Sequence, residues 1–151
     1  MPDEKKFTTT KLRTIGPGLC LFKNTAMENS DMKKEACGLF GIYGHPEAAR
    51  MTYFGLYALQ HRGQESAGII TWDGQTIREQ RGMGLVADVF QERHLGHQLK
   101  GSVAMGHIRY STTGASLIRN AQPFKVTYKG MNLALGLPET MGLRFGPVFP
   151  C

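Results

Sequence analysis

The sequence lacks any long uninterrupted apolar run, and its start lacks the shape of a signal peptide. Lys5 and Lys6 lead into threonines and another lysine, with no continuous apolar stretch before Gly16. A helix that crosses a bilayer needs about 20 predominantly apolar residues, and a signal peptide needs an apolar region behind its basic start. We therefore expect a cytoplasmic protein that has no membrane partner.

Cysteine is also scarce. Three cysteines occur in 151 residues, at positions 20, 37 and 151. Their number is odd and their spacing does not match that of a metal site. This pattern favours reduced thiols, and we expect no metal and no cofactor in this chain.

A basic block is missing as well, although the net charge is +6. Residues 1–36 carry 7 basic and 5 acidic residues, and the remainder carries 11 and 7, so the excess is spread along the chain. Nucleic-acid binders concentrate such charge on one face or along one helix. The distribution therefore argues against a nucleic-acid partner and favours a solvated surface that prefers acidic substrates.

The chain from Cys37 onward shows two kinds of hydrophobic period. The segment 47–60 places Met51, Phe54, Tyr57 and Ala58 at helical spacing, with Leu56 and Leu59 widening that face, so it predicts an amphipathic helix. The segment 85–99 reads as partly helical, with core contacts predicted at Val86, Val89, Phe90 and Leu95. Alternating or glycine-broken apolar stretches predict strands at 39–43, 66–72, 76–80, 102–108, 124–128 and 131–135.

Two short turn signals join pairs of these strands. Asp73-Gly74 and Lys129-Gly130 both predict hairpins. Antiparallel strands with one or two amphipathic helices imply an α+β fold, with antiparallel sheets covered by helices. We expect residues 1–36 to be a leader or pro-segment, 37–136 to form the domain, and the Pro- and Gly-rich stretch 137–151 to be an unrelated tail.

Cys37 opens the first strand of this domain, in the string CGLFGIYG at 37–44. A buried cysteine at such a place usually behaves as a small hydrophobe. The functional alternative is that cleavage after Ala36 makes Cys37 the first residue. Its thiol would then have a general base in its own α-amine, which titrates near pH ~8.

Four strings occur in a recognisable order, namely CGLFGIYGHPEA at 37–48, LQHRGQESAGI at 59–69, GHIRYSTTG at 106–114 and NAQPF at 120–124. Together they resemble the glutaminase domain of the glutamine phosphoribosylpyrophosphate amidotransferases, which are N-terminal-nucleophile enzymes. The resemblance implies the layered fold of that class. It also implies a glutaminase whose ammonia serves the first committed step of purine synthesis.

The resemblance assigns roles to individual residues. Cys37 is the expected nucleophile, attacking the side-chain amide of glutamine to form a thioester that water then hydrolyses. Arg109 is expected to grip the α-carboxylate of glutamine, as a guanidinium can do in a two-pronged pair. The polar loop after it is expected to close over the substrate through Tyr110, Ser111, Thr112 and Thr113, with Gly114 as its hinge.

Three further side chains are expected to support the pocket without touching the substrate. Arg62 and Ser66 belong to the polar turn His61–Gly68, which we interpret as mainly structural. His107 lies two residues before Arg109, so both should face the same side of a strand. We predict a hydrogen-bonded pocket histidine at this position, since the α-amine of Cys37 can act as the base.

The sequence departs from the family after Gly136. The resembling proteins continue with a His-Asn-Gly-Asn segment that supplies the oxyanion hole, whereas this chain reads Leu137-Pro138-Glu139-Thr140. Proline removes a backbone donor, and one missing oxyanion donor typically costs on the order of 100- to 1000-fold in rate. We therefore expect an incomplete and inactive form of the domain. The phosphoribosylpyrophosphate site would lie in a domain outside this chain, as would the iron–sulfur cysteines of some relatives, and the sequence does not define an oligomer.

Two other readings of the residues stay open. One is a different N-terminal-cysteine amidotransferase, although the HRGQESAG and HIRYSTTG strings fit the purine enzyme better. The other is a module that binds glutamine through Arg109 without hydrolysing it.

Overall fold

A computed structural model describes residues 13–14, 20–21, 37–60, 65–110 and 116–137. Two short strands, β1 (Arg13–Thr14) and β2 (Cys20–Leu21), pair antiparallel within the predicted leader. The predicted tail from 138 onward lies outside the described residues, as do 61–64 and 111–115. No helix of the described part is long and apolar enough to cross a membrane.

The centre of the molecule is a four-stranded antiparallel sheet. Its strands are β3 (Gly38–Tyr43), β4 (Ser66–Trp72), β5 (Ile77–Met83) and β6 (Val103–Arg109). They lie side by side in the order β3, β6, β4, β5, which places β6 and β4 inside and β3 and β5 at the edges. The predicted strands are therefore confirmed, and β4 has the predicted bounds.

Helix α1 (Ala48–Leu59) covers one face of this sheet. Its buried residues are Ala48, Ala49, Thr52 and Leu56. Small side chains are needed there because the helix lies close to the sheet: a Cβ added at Gly106 of β6 would come within 2.6 Å of Thr52 and 2.8 Å of Leu56.

The predicted apolar face of this helix is in part wrong. Phe54 and Tyr57 are exposed to 61% and 56%, and Ala58 is also exposed. Only Leu56, from the residues predicted for the helix, is fully buried, while Met51 and Leu59 are partly buried. Because α1 packs closely against strands that contain glycine, the face of the helix with small residues is buried and the face with large residues is exposed.

The segment between β5 and β6 completes the core on the same face. It contains the short helix α2 (Val86–Val89) and one π-helical turn (His94–Gln98). Val86, Val89 and Phe90 are buried and pack in one cluster with Leu56, Ile69 and Ile108, and Leu95 is partly buried against them. These four predicted core contacts are confirmed.

A hairpin follows, made of β7 (Phe124–Tyr128) and β8 (Met131–Leu135). It pairs with none of the other described strands. Its turn holds Lys129 and Gly130 at positive φ, as the Lys-Gly signal predicted. The register aligns six apolar residues on one face, of which all but Phe124 are exposed: Phe124, Val126, Tyr128, Met131, Leu133 and Leu135.

Candidate functional site

Cys37 and Arg109 lie at the same end of two neighbouring strands. Gly38 of β3 pairs with Ile108 of β6. Extending that antiparallel register by one residue places Cys37 opposite Arg109, on the face of the sheet turned away from α1. Both residues are buried, and the Cys37 thiol lies 3.9 Å from the carbonyl oxygen of Tyr110, at the outer limit of a thiol hydrogen bond.

Cys37 and Arg109 form a row of cross-strand neighbours, and Ser66 belongs to the same row. It pairs with Arg109 across the β4–β6 ladder, so its side chain shares that face of the sheet. The Ser66 hydroxyl is buried and has no hydrogen-bond partner among the described residues. Buried hydroxyls usually have one, so an unsatisfied polar group lies on the residue that pairs with Arg109.

The Arg109 guanidinium already has a carboxylate against it. Its Nη1 atom lies 3.3 Å from both side-chain oxygens of Glu65. Both side chains are nearly enclosed, with 9% of Arg109 and 13% of Glu65 exposed. Sequence reasoning assigned Glu65 only to a structural turn, and the ion pair joins residues 44 positions apart.

His107 lies one row deeper and is completely buried. Its Nε2 atom is 3.1 Å from the carbonyl oxygen of Leu137, while Nδ1 has no partner within the described part of the chain. Burial, opposed by the hydrogen bond to the Leu137 carbonyl and aided by the positive charge of Arg109, lowers the pKa of His107 to about 4. The imidazole is therefore neutral at pH 7, and the predicted pocket histidine is hydrogen-bonded through one nitrogen only.

The segment around Gln122 and the end of the hairpin cover this face. The Leu137 amide donates to the side-chain oxygen of Gln122 at 2.6 Å, and its carbonyl accepts from His107. A Cβ added at Gly68 would lie 2.2 Å from the Gln122 carbonyl oxygen, so this segment rests directly on the sheet. Both backbone groups of Leu137 are thus engaged inside the protein.

The other predicted site residues lie outside the described residues. These are Arg62, together with Thr112, Thr113 and Gly114 of the loop after Tyr110. Their roles stay predictions. Within the described ranges, no cluster of three His, Cys, Asp or Glu side chains has the arrangement of a metal site.

One surface hollow lies away from this row. It is lined by Pro46, Arg50, Leu95 and Lys100 among others. These residues adjoin the opposite ends of β3 and β6 from Cys37 and Arg109. The hollow therefore adds nothing to the cysteine site.

Comparison with known proteins supports the motif assignment. No family model matches the chain. It is 59% identical over 96 residues to the amidophosphoribosyltransferase of Synechocystis, covering 63% of this chain and 19% of that protein. It is 48% identical over 111 residues to the chloroplastic amidophosphoribosyltransferase 3 of Arabidopsis thaliana, covering 74% and 21%.

Solved structures agree with these relatives. Glutamine phosphoribosylpyrophosphate amidotransferase from B. subtilis matches with a TM-score of 0.56 and 44% identity, over 64% of this chain and 20% of that one. A structure described as the allosteric regulatory enzyme of purine biosynthesis matches with a TM-score of 0.58 and 45% identity. The chain spans about a fifth of the length of these relatives. The predicted layered α+β fold is confirmed, and in sequence and fold this chain resembles the N-terminal part of amidophosphoribosyltransferase.

Proposed function

We propose that residues 37–137 are the glutamine-binding part of an amidophosphoribosyltransferase. In such an enzyme, ammonia released from glutamine is transferred to phosphoribosylpyrophosphate at the first step of purine synthesis. The observation that carries the proposal is the row in which Cys37 lies opposite Arg109 on adjacent strands. This row brings a sulfur nucleophile and a carboxylate-binding cation to one end of one sheet.

In the proposed reaction, Arg109 binds the α-carboxylate of glutamine and directs the side-chain amide toward Cys37. Once Cys37 is the first residue, its α-amine takes the thiol proton and the sulfur attacks the amide carbon. The amide nitrogen leaves as ammonia after receiving a proton, and water releases glutamate from the thioester. This chemistry needs no metal or cofactor, and we propose that it operates in the cytoplasm.

We further propose that this chain binds glutamine but hydrolyses it slowly. The Leu137 amide, the last backbone donor described after β8, is already bonded to Gln122. Pro138 and Glu139 follow, where a donor-rich segment would stabilise the oxyanion. Loss of such donors costs on the order of 100- to 1000-fold in rate for each, so turnover should be slow even with Cys37 and Arg109 in place.

The test is calorimetry with glutamine on the full 151-residue chain, combined with measurement of glutamate release and intact mass. We expect saturable binding that is lost in Arg109→Ala, with little glutamate released. The mass reports whether Cys37 becomes the first residue. Absence of glutamine binding contradicts the proposal, and rapid glutamate release contradicts the claim of slow turnover.

A further inference from the structure

Glu65 is held in place by its backbone as well as by its side chain. Its amide donates to the Arg109 carbonyl at 2.8 Å, and its carbonyl accepts from the Gly84 amide at 2.9 Å. These two bonds fix the backbone of Glu65 at the end of the ladder, and both oxygens of its carboxylate lie 3.3 Å from Nη1 of Arg109. The sheet therefore holds the backbone of Glu65 next to that of Arg109.

The pair is almost enclosed, so its charges are only weakly screened by water. Burying a guanidinium is strongly unfavourable unless it is paired, and Glu65 is one such partner when the site is empty. A ligand carboxylate that binds Arg109 must then share one cation with a second anion. The ligand is attracted by Arg109 and repelled by Glu65.

We propose that Glu65 sets the specificity of this site, so that it prefers a carboxylate ligand that also carries an α-ammonium group. This inference rests on the proposed function, since it takes Arg109 as the carboxylate-binding group. A zwitterionic α-amino acid offers Glu65 a positive charge that offsets the repulsion of its carboxylate. A carboxylate without the amine offers no such offset.

The size of the effect follows from Coulomb's law. Two charges about 6 Å apart, at the effective dielectric of about 20 that suits such sites, interact strongly enough to change an affinity tenfold or more. Only part of this acts on the zwitterion, because the two ends of the ligand feel Glu65 with opposite sign. We therefore expect discrimination of about tenfold or more against the amine-free ligand.

Calorimetry on the full 151-residue chain tests this with glutamine and with glutaramate, which is glutamine without its α-amino group. The wild-type chain should bind glutamine at least about tenfold more tightly than glutaramate. In Glu65→Gln, which keeps the shape and removes the charge, the ratio of the two dissociation constants should fall by about tenfold. Glu65→Asp keeps the charge and should keep most of the discrimination.

Glu92→Gln is the matched control. It removes the same charge from the exposed pair between Glu92 and Arg50, on the helix side of the sheet. Its ratio should equal that of the wild type. A ratio has the further advantage that a general loss of folded protein lowers both affinities together and leaves their quotient unchanged.

Each outcome decides the matter. An unchanged ratio in Glu65→Gln overturns the inference while leaving glutamine binding, and with it the proposed function, intact. If the variant does not fold, the wild-type chain alone still decides, because equal binding of glutaramate and glutamine contradicts a specificity role for Glu65. If the wild-type chain binds neither ligand, the proposed function fails and the inference fails with it.

Discussion

The four-stranded sheet and the β7–β8 hairpin both have apolar faces, but only the sheet has its apolar residues covered. Helix α1 and the 86–99 segment bury the apolar face of the sheet, so that Ile69 and Ile108 have no exposed surface. In the hairpin, by contrast, Leu133 and Met131 are 45% and 59% exposed. Burial of apolar surface is the main favourable term in folding. The sheet should therefore carry the stability of the described part, and the hairpin should contribute little.

The largest effect should come from adding a side chain at Gly68, where the covering segment rests on the sheet. A Cβ there would lie 2.2 Å from the Gln122 carbonyl oxygen and 2.8 Å from Arg81 Cγ, so Gly68→Val must displace the covering segment. We expect a loss of about 4 kcal/mol or more in the free energy of unfolding, measured in urea.

The matched control is Gly130→Ala in the hairpin turn. A Cβ there meets nothing within 4 Å, and only the positive φ of 76° opposes it. Its cost should be about 1 kcal/mol. Equal losses for the two variants would mean that the segment around Gln122 does not rest on the sheet.

Truncation of core side chains should have the next largest effect. Leu56 of α1 is fully buried against the sheet, so Leu56→Ala should cost about 3 kcal/mol. Leu133→Ala removes the same atoms from the hairpin and should change stability by no more than about 0.5 kcal/mol. Urea unfolding of both variants checks this, and a costly Leu133→Ala would show that the hairpin is covered in solution.

The effect of pH on the free energy of unfolding should be smaller than the effect of Leu56→Ala. The folded pKa of His107 is about 4, below the ordinary value of 6.5. Between these values the unfolded chain binds a proton that the folded chain excludes, so stability falls as pH falls from 6.5 toward 4. The loss between pH 7 and pH 5 should be about 2 kcal/mol.

This loss can be assigned to His107 by substitution. In His107→Gln, the difference in unfolding free energy between pH 7 and pH 5 should shrink by most of that amount. An unchanged difference would place the proton uptake on another group.

The smallest effect should come from the exposed ion pair beside α1. Arg50 and Glu92 lie 2.6 Å apart, with 37% and 70% of their side chains exposed. Surface pairs of this kind contribute little to stability, so Glu92→Gln should leave the unfolding midpoint unchanged. A clear shift in the thermal midpoint would show that this pair is less screened than its exposure indicates.

Local patterns predicted the strands better than they predicted the contacts. The turn signals at Asp73-Gly74 and Lys129-Gly130 and the alternation around them reflect backbone preferences that act within a few residues. The buried face of α1 was missed because it depends on Gly106, about 50 positions away in the sequence. A helix can approach that strand closely only through residues such as Ala49 and Thr52.

In the candidate site, too, the local motifs were predicted and a long-range contact was missed. Cys37 and Arg109 were predicted from motifs, and the sheet register brings them to one row. The pair between Glu65 and Arg109 was missed, since no local signal in a single sequence tells which residue of β4 pairs with which residue of β6. The signal available was the acidic residue directly before a strand, which becomes informative only once Ser66 is known to lie opposite Arg109.

The edge position of β3 has a consequence for the proposed cleavage before Cys37. Among the described strands, β3 is bonded to β6 alone. Hydrolysis of the peptide bond between Ala36 and Cys37 would therefore break none of the hydrogen bonds that hold the four strands together. Proteolytic trimming and retention of the folded domain are thus compatible in this architecture.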